Sequence, residues 1–183
     1  MAIDDPFELL GLEARYAIER ADLDKVHRDL SKALHPDRHR DQPARERRHL
    51  LERAMQVNEA YRIVKDPVRR ARALLRLRGI AVDESVQVSP APLFLMGVIE
   101  QRESLAEARA ARNAGAVHAL RRSVMARREA TERNLGEAFG ALFSSQTLAD
   151  PDSLLALVAE LAYDARFLEE ANAAAEELDG DSL

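Results

Sequence analysis

"SKALHPDRHR", residues 31–40, lies where a basic helix has to stop. Pro36 lacks a backbone N–H and disfavours helix for the residue before it, so the helix ends by His35. A plain stop would use Gly or Asn. Here the bend carries an imidazole and a carboxylate, His35 and Asp37, and runs on into a loop that is still basic. Upstream, Leu23, Val26, Leu30, Ala33 and Leu34 share one side at helical spacing, which predicts a helix from about Arg20 to Leu34. Its N-cap is weak, because Glu19 stands where Asp or Ser would serve better. At 100° per residue, Lys25, Arg28 and Lys32 fall within about 60° of one another, nearly opposite that stripe. The helix therefore has a face for a core and a basic face for something else, with His35-Pro36-Asp37 at the end of the basic one.

Outward from this point the chain reads as helix almost throughout. "DDPFELLGL" predicts a short helix capped by Asp5, started by Pro6 and ended by Gly11. After the loop, "PARERRHLLERAMQVNEAYRIVKD" predicts a third helix with Leu50, Ala54, Val57, Tyr61 and Val64 as its apolar stripe. A loop of roughly eight residues joins it to the second helix, so the two should lie antiparallel. Asp66 and Pro67 cap and start a fourth helix, closed by Gly79. "IAVDESVQVSPAP", residues 80–92, has no helical period and two prolines, and marks a boundary. Beyond it a helix is expected from about Ala91 to Asn113, a turn at Gly115, and a second helix to about Phe143. "SSQTLADP" is a loop, with Asp150 and Pro151 opening a last helix to about Leu178. Three such helices can bury their stripes as a bundle.

Composition agrees with an all-α chain. Of 183 residues only 4% are aromatic, and little β-branched material is available for sheets. There is no cysteine, which excludes disulfides, thiolate nucleophiles and cysteine-ligated zinc, and fits a reducing, cytoplasmic setting. No apolar run approaches the roughly 20 residues of a membrane helix, and "MAIDDPFELLGL" has no signal pattern, so no membrane is expected. The net charge of −5 hides an asymmetry. Residues 1–82 hold 18 Lys and Arg against 14 Asp and Glu, while residues 83–183 hold 9 against 18. Halves of opposite sign suggest modules with different partners.

A basic helix, then His35-Pro36-Asp37, then a longer helix running into "NEAYRIVKDPVRRARALL", resembles a J-domain over residues 4–78. The resemblance implies docking on a DnaK/HscA-class chaperone ATPase and stimulation of its ATP hydrolysis. His35, Pro36 and Asp37 would be the triggering loop, and Lys25, Arg28 and Lys32 the docking face. "GLEARYAI" (11–18), "LLRLRGI" (74–80), "LFLMGVIEQRESLAEA" (93–108) and "ARFLEE" (165–170) are further similar to the HscB-type co-chaperones of iron–sulfur cluster assembly. That likeness implies a J-domain at 1–79, a linker at 80–90 and, at 91–183, a three-helix domain that binds the iron–sulfur cluster scaffold protein. It implies scaffold contacts at Leu95, Met96, Ile99 and Phe167, and no cofactor. Gly97 and Val98 depart from the family pattern, standing where polar helix residues are more usual, and the segment 140–153 lengthens a turn.

The residues of the second half are read independently. In the helix from Ala91, Leu95, Val98, Ile99 and Leu105 make the expected core side, while Leu93, Phe94 and Met96 point elsewhere. In the last helix Leu154, Leu157, Val158, Leu161, Ala165 and Leu168 form the expected stripe, and Phe167 lies roughly 120° off it, one turn after Tyr163. Met96 and Phe167 are thus candidates for an exposed apolar patch, and Leu95 and Ile99 serve either the core or the patch. The apolar turn Leu93–Ile99 could instead fill the interface between the two domains, and Phe167 could pack on the J-domain.

Other readings have less behind them. Two histidines flanking Asp37 could suggest a metal, but Pro36 denies His35 and His39 a shared helical face. His27, His49 and His118 lack partnered spacing and are expected at the surface. "RHRDQPARERRH" could contact nucleic acid, yet it is interleaved with acids and has no aromatic platform, so none is expected. No Gly-rich phosphate loop, Ser-His-Asp setting or carboxylate pair points to an enzyme. A J-domain serving another client, or an arginine-rich helical nucleic-acid-binding protein, remain the alternatives.

Overall fold

Asp5 caps the first helix as its position predicts: the carboxylate accepts the N–H groups of Phe7 and Glu8 at 2.8 and 3.0 Å. Gly11 closes that helix at φ 66°, a left-handed conformation that glycine adopts without strain. The computed structural model of the chain describes residues 3–82, 90–144 and 150–180. Among them every regular element is helical: α1 (Pro6–Leu10), α2 (Arg20–Ala33), a 3-10 turn (Pro36–His39), α3 (Ala44–Lys65), α4 (Pro67–Leu77), α5 (Pro92–Ala110), α6 (Ala114–Ser144) and α7 (Pro151–Gly180). Among the described residues no helix is long and apolar enough to cross a membrane.

The chain divides into two units, Met1–Asp83 and Glu84–Leu183. Most of the linker expected at 80–90 lies outside the described residues. In the first unit α2 and α3 pack together, with α1 and α4 on α3. Phe7, Leu10, Tyr16, Leu23, Val57, Ala60, Val64, Ala71, Leu74 and Leu75 are buried. Glu19 makes no side-chain cap bond to α2. Asp66 does cap α4, accepting the Arg69 N–H at 2.8 Å.

In the second unit α6 and α7 pack along each other, and α5 packs on both. The turn expected at Gly115 falls earlier. α5 ends with Arg112 at φ 51°, and the Asn113 N–H reaches back to the Ala108 carbonyl at 2.9 Å. This is a Schellman-like closure that usually has glycine at the left-handed position. With arginine there the sequence signal is missing, and Gly115 lies inside α6. Asn113 Oδ1 accepts the Ala116 N–H at 3.0 Å and caps the first turn. At the start of α7, Asp150 accepts from the Ser153 hydroxyl (2.7 Å) and the Asp152 N–H (3.3 Å), which in that order hold its carboxyl below the usual range.

The core of this unit departs from the expected stripes most at Ile99 and Phe167. Val98 is buried, which accounts for an apolar residue there, whereas Ile99 is 57% exposed. Phe167 is 1% exposed and belongs to the core with Leu105, Ala108, Val117, Val124 and Leu168. The buried positions Leu154, Leu161, Asp164, Leu168, Ala171, Ala175 and Leu178 of α7 follow a heptad-like period. On a 3.6-residue helix such a row drifts by about 20° per heptad. Because α7 also packs on two neighbours, its buried face is wide, and by Phe167 it has turned to include the phenyl ring.

Candidate functional site

The bend after α2 is tied back to the helix it terminates. His39 Nε2 donates to the Ala33 carbonyl (2.7 Å), and Arg38 Nη1 to the Lys32 carbonyl (3.4 Å). These two carbonyls are in the last turn of the helix, beyond its i→i+4 ladder, and the Lys32 carbonyl also accepts the His35 N–H at 3.5 Å. Arg47, from α3, donates to the Arg40 carbonyl at 3.4 Å. Inside the bend the Asp37 N–H donates to His35 Nδ1 at 3.2 Å. A neutral imidazole accepting at Nδ1 carries its proton on Nε2, so His35 keeps a donor for a partner. Its side chain is 57% exposed. Asp37 Oδ1 receives both Nε (3.2 Å) and Nη2 (2.8 Å) of Arg40, an exposed pairing that fixes direction more than it stabilises.

Lys25, Arg28 and Lys32 are all exposed along α2, and His35, Pro36 and Asp37 continue that exposure past its end. The neighbouring face of α2 is fastened to α3. The Tyr61 hydroxyl donates to Asp24 Oδ1 at 2.8 Å, and Arg20 Nε donates to the same oxygen at 2.8 Å. Asp24 is held below its ordinary value first by the Tyr61 hydrogen bond and then by Arg20, against some desolvation; the same bond raises Tyr61. His27 stacks on the Tyr61 ring with centroids 4.0 Å apart, and its Nε2 donates to Asn58 Oδ1 at 2.9 Å. His27 is therefore a member of the α2–α3 contact rather than a bystander at the surface. His49 and His118 also have acidic neighbours, Glu52 at 3.8 Å and Asp179 at 3.4 Å.

In the second unit the first two turns of α5 present Leu93, Met96 and Ile99 to solvent, with exposures of 80%, 58% and 57%. Leu95 and Phe94 are half-buried beneath them. Exposed apolar groups this close together on one helix are unusual for a surface without a partner. Nearby, α6 and α7 share an ion pair between Arg127, whose side chain is 31% exposed, and the fully buried Asp164. Glu160 lies in the same region, and burial, then the Asp164 charge, push its carboxyl up against a smaller opposing pull from Arg127. Among the described residues no group of three or more His, Asp or Glu side chains is placed to hold a metal ion.

Two family models match the chain, a DnaJ domain over residues 5–73 and the HSCB C-terminal oligomerisation domain over residues 90–172. An HscB co-chaperone homologue of Cupriavidus taiwanensis is 39% identical over 142 residues, covering 78% of each chain. The homologue of Bordetella avium is 39% identical over 137 residues, 75% of this chain and 80% of that one. The chain belongs to the HscB co-chaperone family. Among solved structures, HscB from Vibrio cholerae superposes with a TM-score of 0.80 at 28% identity, covering 95% of this chain and 99% of that one. Human HscB gives a TM-score of 0.78 over 92% and 80%, and at 23% identity it supports the fold alone.

In this HscB-family chain the residues singled out from sequence fall into three groups. His35, Pro36, Asp37, Lys25, Arg28 and Lys32 occupy one exposed edge of the J-domain. Met96 and Ile99 are exposed together on α5, with Leu95 partly beneath them. Phe167 does not join them at the surface, for it is enclosed in the bundle. Sequence reading turned Leu93 away from the core side but did not count it with the apolar patch, where its 80% exposure puts it. It also missed the latch formed by Arg38 and His39. Their types were visible as loop charge, but bonds to helix-end carbonyls have no sequence spacing.

Proposed function

We propose that this HscB-family co-chaperone docks the exposed edge of α2 on a DnaK/HscA-class chaperone ATPase and stimulates its ATP hydrolysis. Lys25, Arg28 and Lys32 supply long-range attraction to an acidic surface, which speeds and orients encounter. The Pro36 bend then places His35 and Asp37 against the ATPase with little ordering left to do, since His39 and Arg38 already hold the loop. On α5, Leu93, Met96 and Ile99, flanked by the half-buried Leu95, would take an apolar surface of the iron–sulfur cluster scaffold protein. The chain would thus deliver the scaffold to the ATPase and carry out no chemistry of its own. The proposed setting is the cytoplasm, in keeping with a chain free of cysteine.

The latched His35-Pro36-Asp37 turn at the end of an exposed basic helix supports this reading most directly. It is tested by single-turnover ATP hydrolysis on a purified HscA-class ATPase. Wild type should accelerate hydrolysis and His35→Gln should not, at unchanged circular dichroism. Equal stimulation by both proteins would remove the triggering role of the turn.

A further inference from the structure

Asp164 is fully buried, and its partner Arg127 spans all three helices of the second unit. From α6, Arg127 Nε donates to both Asp164 oxygens of α7 at 3.1 Å, and Nη2 bonds Asp164 Oδ1 as well. Nη2 also donates to Gln101 Oε1 of α5 at 2.9 Å. The guanidinium carbon lies 5.0 Å from the ring centroid of Phe94, within cation–π range. Phe94 in turn meets Tyr163 of α7 edge-on, with centroids 6.3 Å apart. One guanidinium therefore touches the first turn of α5 through Phe94 and its third through Gln101.

Stability alone is a poor reason to bury the Asp164 charge, even beside a partly exposed arginine. Replacing a buried ion pair by well-packed apolar residues is often neutral or stabilising. The segment it touches, however, is weak in itself. α5 has no side-chain cap bond at Ala91. Gly97, in its second turn, costs roughly 0.5–1 kcal/mol against alanine in a helix interior. No packing demands that glycine, for a Cβ there would meet nothing within 4 Å. Yet these two turns carry Leu93, Met96 and Ile99, which need a fixed arrangement to act as one contact face.

We propose that Arg127, held by Asp164, is a positioning residue for scaffold binding: through Phe94 and Gln101 it sets the first two turns of α5 in the conformation that the scaffold recognises. The inference rests on the proposed role of the α5 face. The Asp164 carboxylate is costly to bury, and the Arg127 it holds fastens the one stretch of α5 that lacks a cap, contains a glycine and exposes the apolar face.

The test is calorimetric affinity of the full chain for the purified, cluster-free iron–sulfur scaffold protein, with thermal melts alongside. Arg127→Leu/Asp164→Leu should melt at or above the wild-type temperature yet bind about tenfold more weakly. Phe94→Leu, which leaves the ion pair in place, should lose about as much. Combining all three substitutions should cost no more than either set alone, because both remove the same positioning contact. Wild-type affinity in Arg127→Leu/Asp164→Leu, or additive losses in the combination, would overturn the proposal. Should the double variant not fold, Phe94→Leu decides, and wild-type affinity there would overturn it. Met96→Ser is the control for the face itself. Undiminished binding by Met96→Ser overturns the reading beneath the proposal, whereas loss there with wild-type binding by the other variants overturns the positioning role alone.

Discussion

At the scale of single residues, burial separates two side chains that sequence spacing put together. Phe167 is enclosed among Leu105, Val117 and Leu168, whereas Met96 stands in solvent. Phe167→Ala should therefore lower stability by about 3–5 kcal/mol, the usual cost of emptying a packed phenylalanine site. Met96→Ser should leave the melting temperature close to wild type and weaken scaffold binding instead. Thermal melts and calorimetry on the two variants check this division; a stable, binding-deficient Phe167→Ala would contradict it. The Tyr61–Asp24 bond supplies a pH signature. Asp24 is depressed below 3.8 in the folded chain, so its stabilisation is present above that ordinary value and is lost as pH falls through the folded value. Tyr61→Phe should melt lower than wild type at about pH 7, and the gap should narrow as pH falls below 3.8 and Asp24 takes up its proton. A gap that stays constant over that range would mean that the hydroxyl does not act through Asp24.

At the scale of elements, what was legible in the sequence was whatever a helix writes locally. Asp5, Asp66 and Asp150 each cap the helix that follows, and Gly11 and Gly79 close theirs at positive φ. The stripe of α2 gave its basic face by subtraction, and the structure leaves Lys25, Arg28 and Lys32 exposed. What was not legible depends on neighbours. The α5–α6 turn uses Arg112 in a conformation usually given to glycine, so residue type misplaced it. On α7 the buried face is wide because it meets both α5 and α6, and a single stripe read from Leu154 to Leu168 left Phe167 off it. The α5 face was legible as an apolar turn, but spacing alone could not decide between core and surface for Leu95 and Ile99.

The basic face of α2 leads to a prediction at this same scale. Charge reversal at Lys25, Arg28 or Lys32 should weaken ATPase docking and barely change the melting temperature, because none of them faces the core. Docking of wild type should also weaken with salt, as the screening length contracts from about 10 Å at 0.1 M to about 3 Å at 1 M. Surface plasmon resonance against the ATPase across that salt range is the check, and salt-independent binding would count against an electrostatic face.

At the scale of the whole molecule, the chain joins two units of opposite charge, each with an exposed surface that its own core does not explain. On the first, a latched turn extends a basic helix; on the second, an uncapped helix start displays apolar side chains. The central claim is that these surfaces take different partners and that the chain links them. One measurement tests it most directly: single-turnover ATP hydrolysis by the HscA-class ATPase, with and without the iron–sulfur scaffold protein, in the presence of wild type, His35→Gln or Met96→Ser. His35→Gln should abolish stimulation under both conditions. Met96→Ser should keep the scaffold-independent stimulation at the wild-type level and lose the extra stimulation that added scaffold gives. If Met96→Ser retained the full scaffold-dependent increment, or if His35→Gln lost only that increment, the two surfaces would not have the separate roles assigned to them.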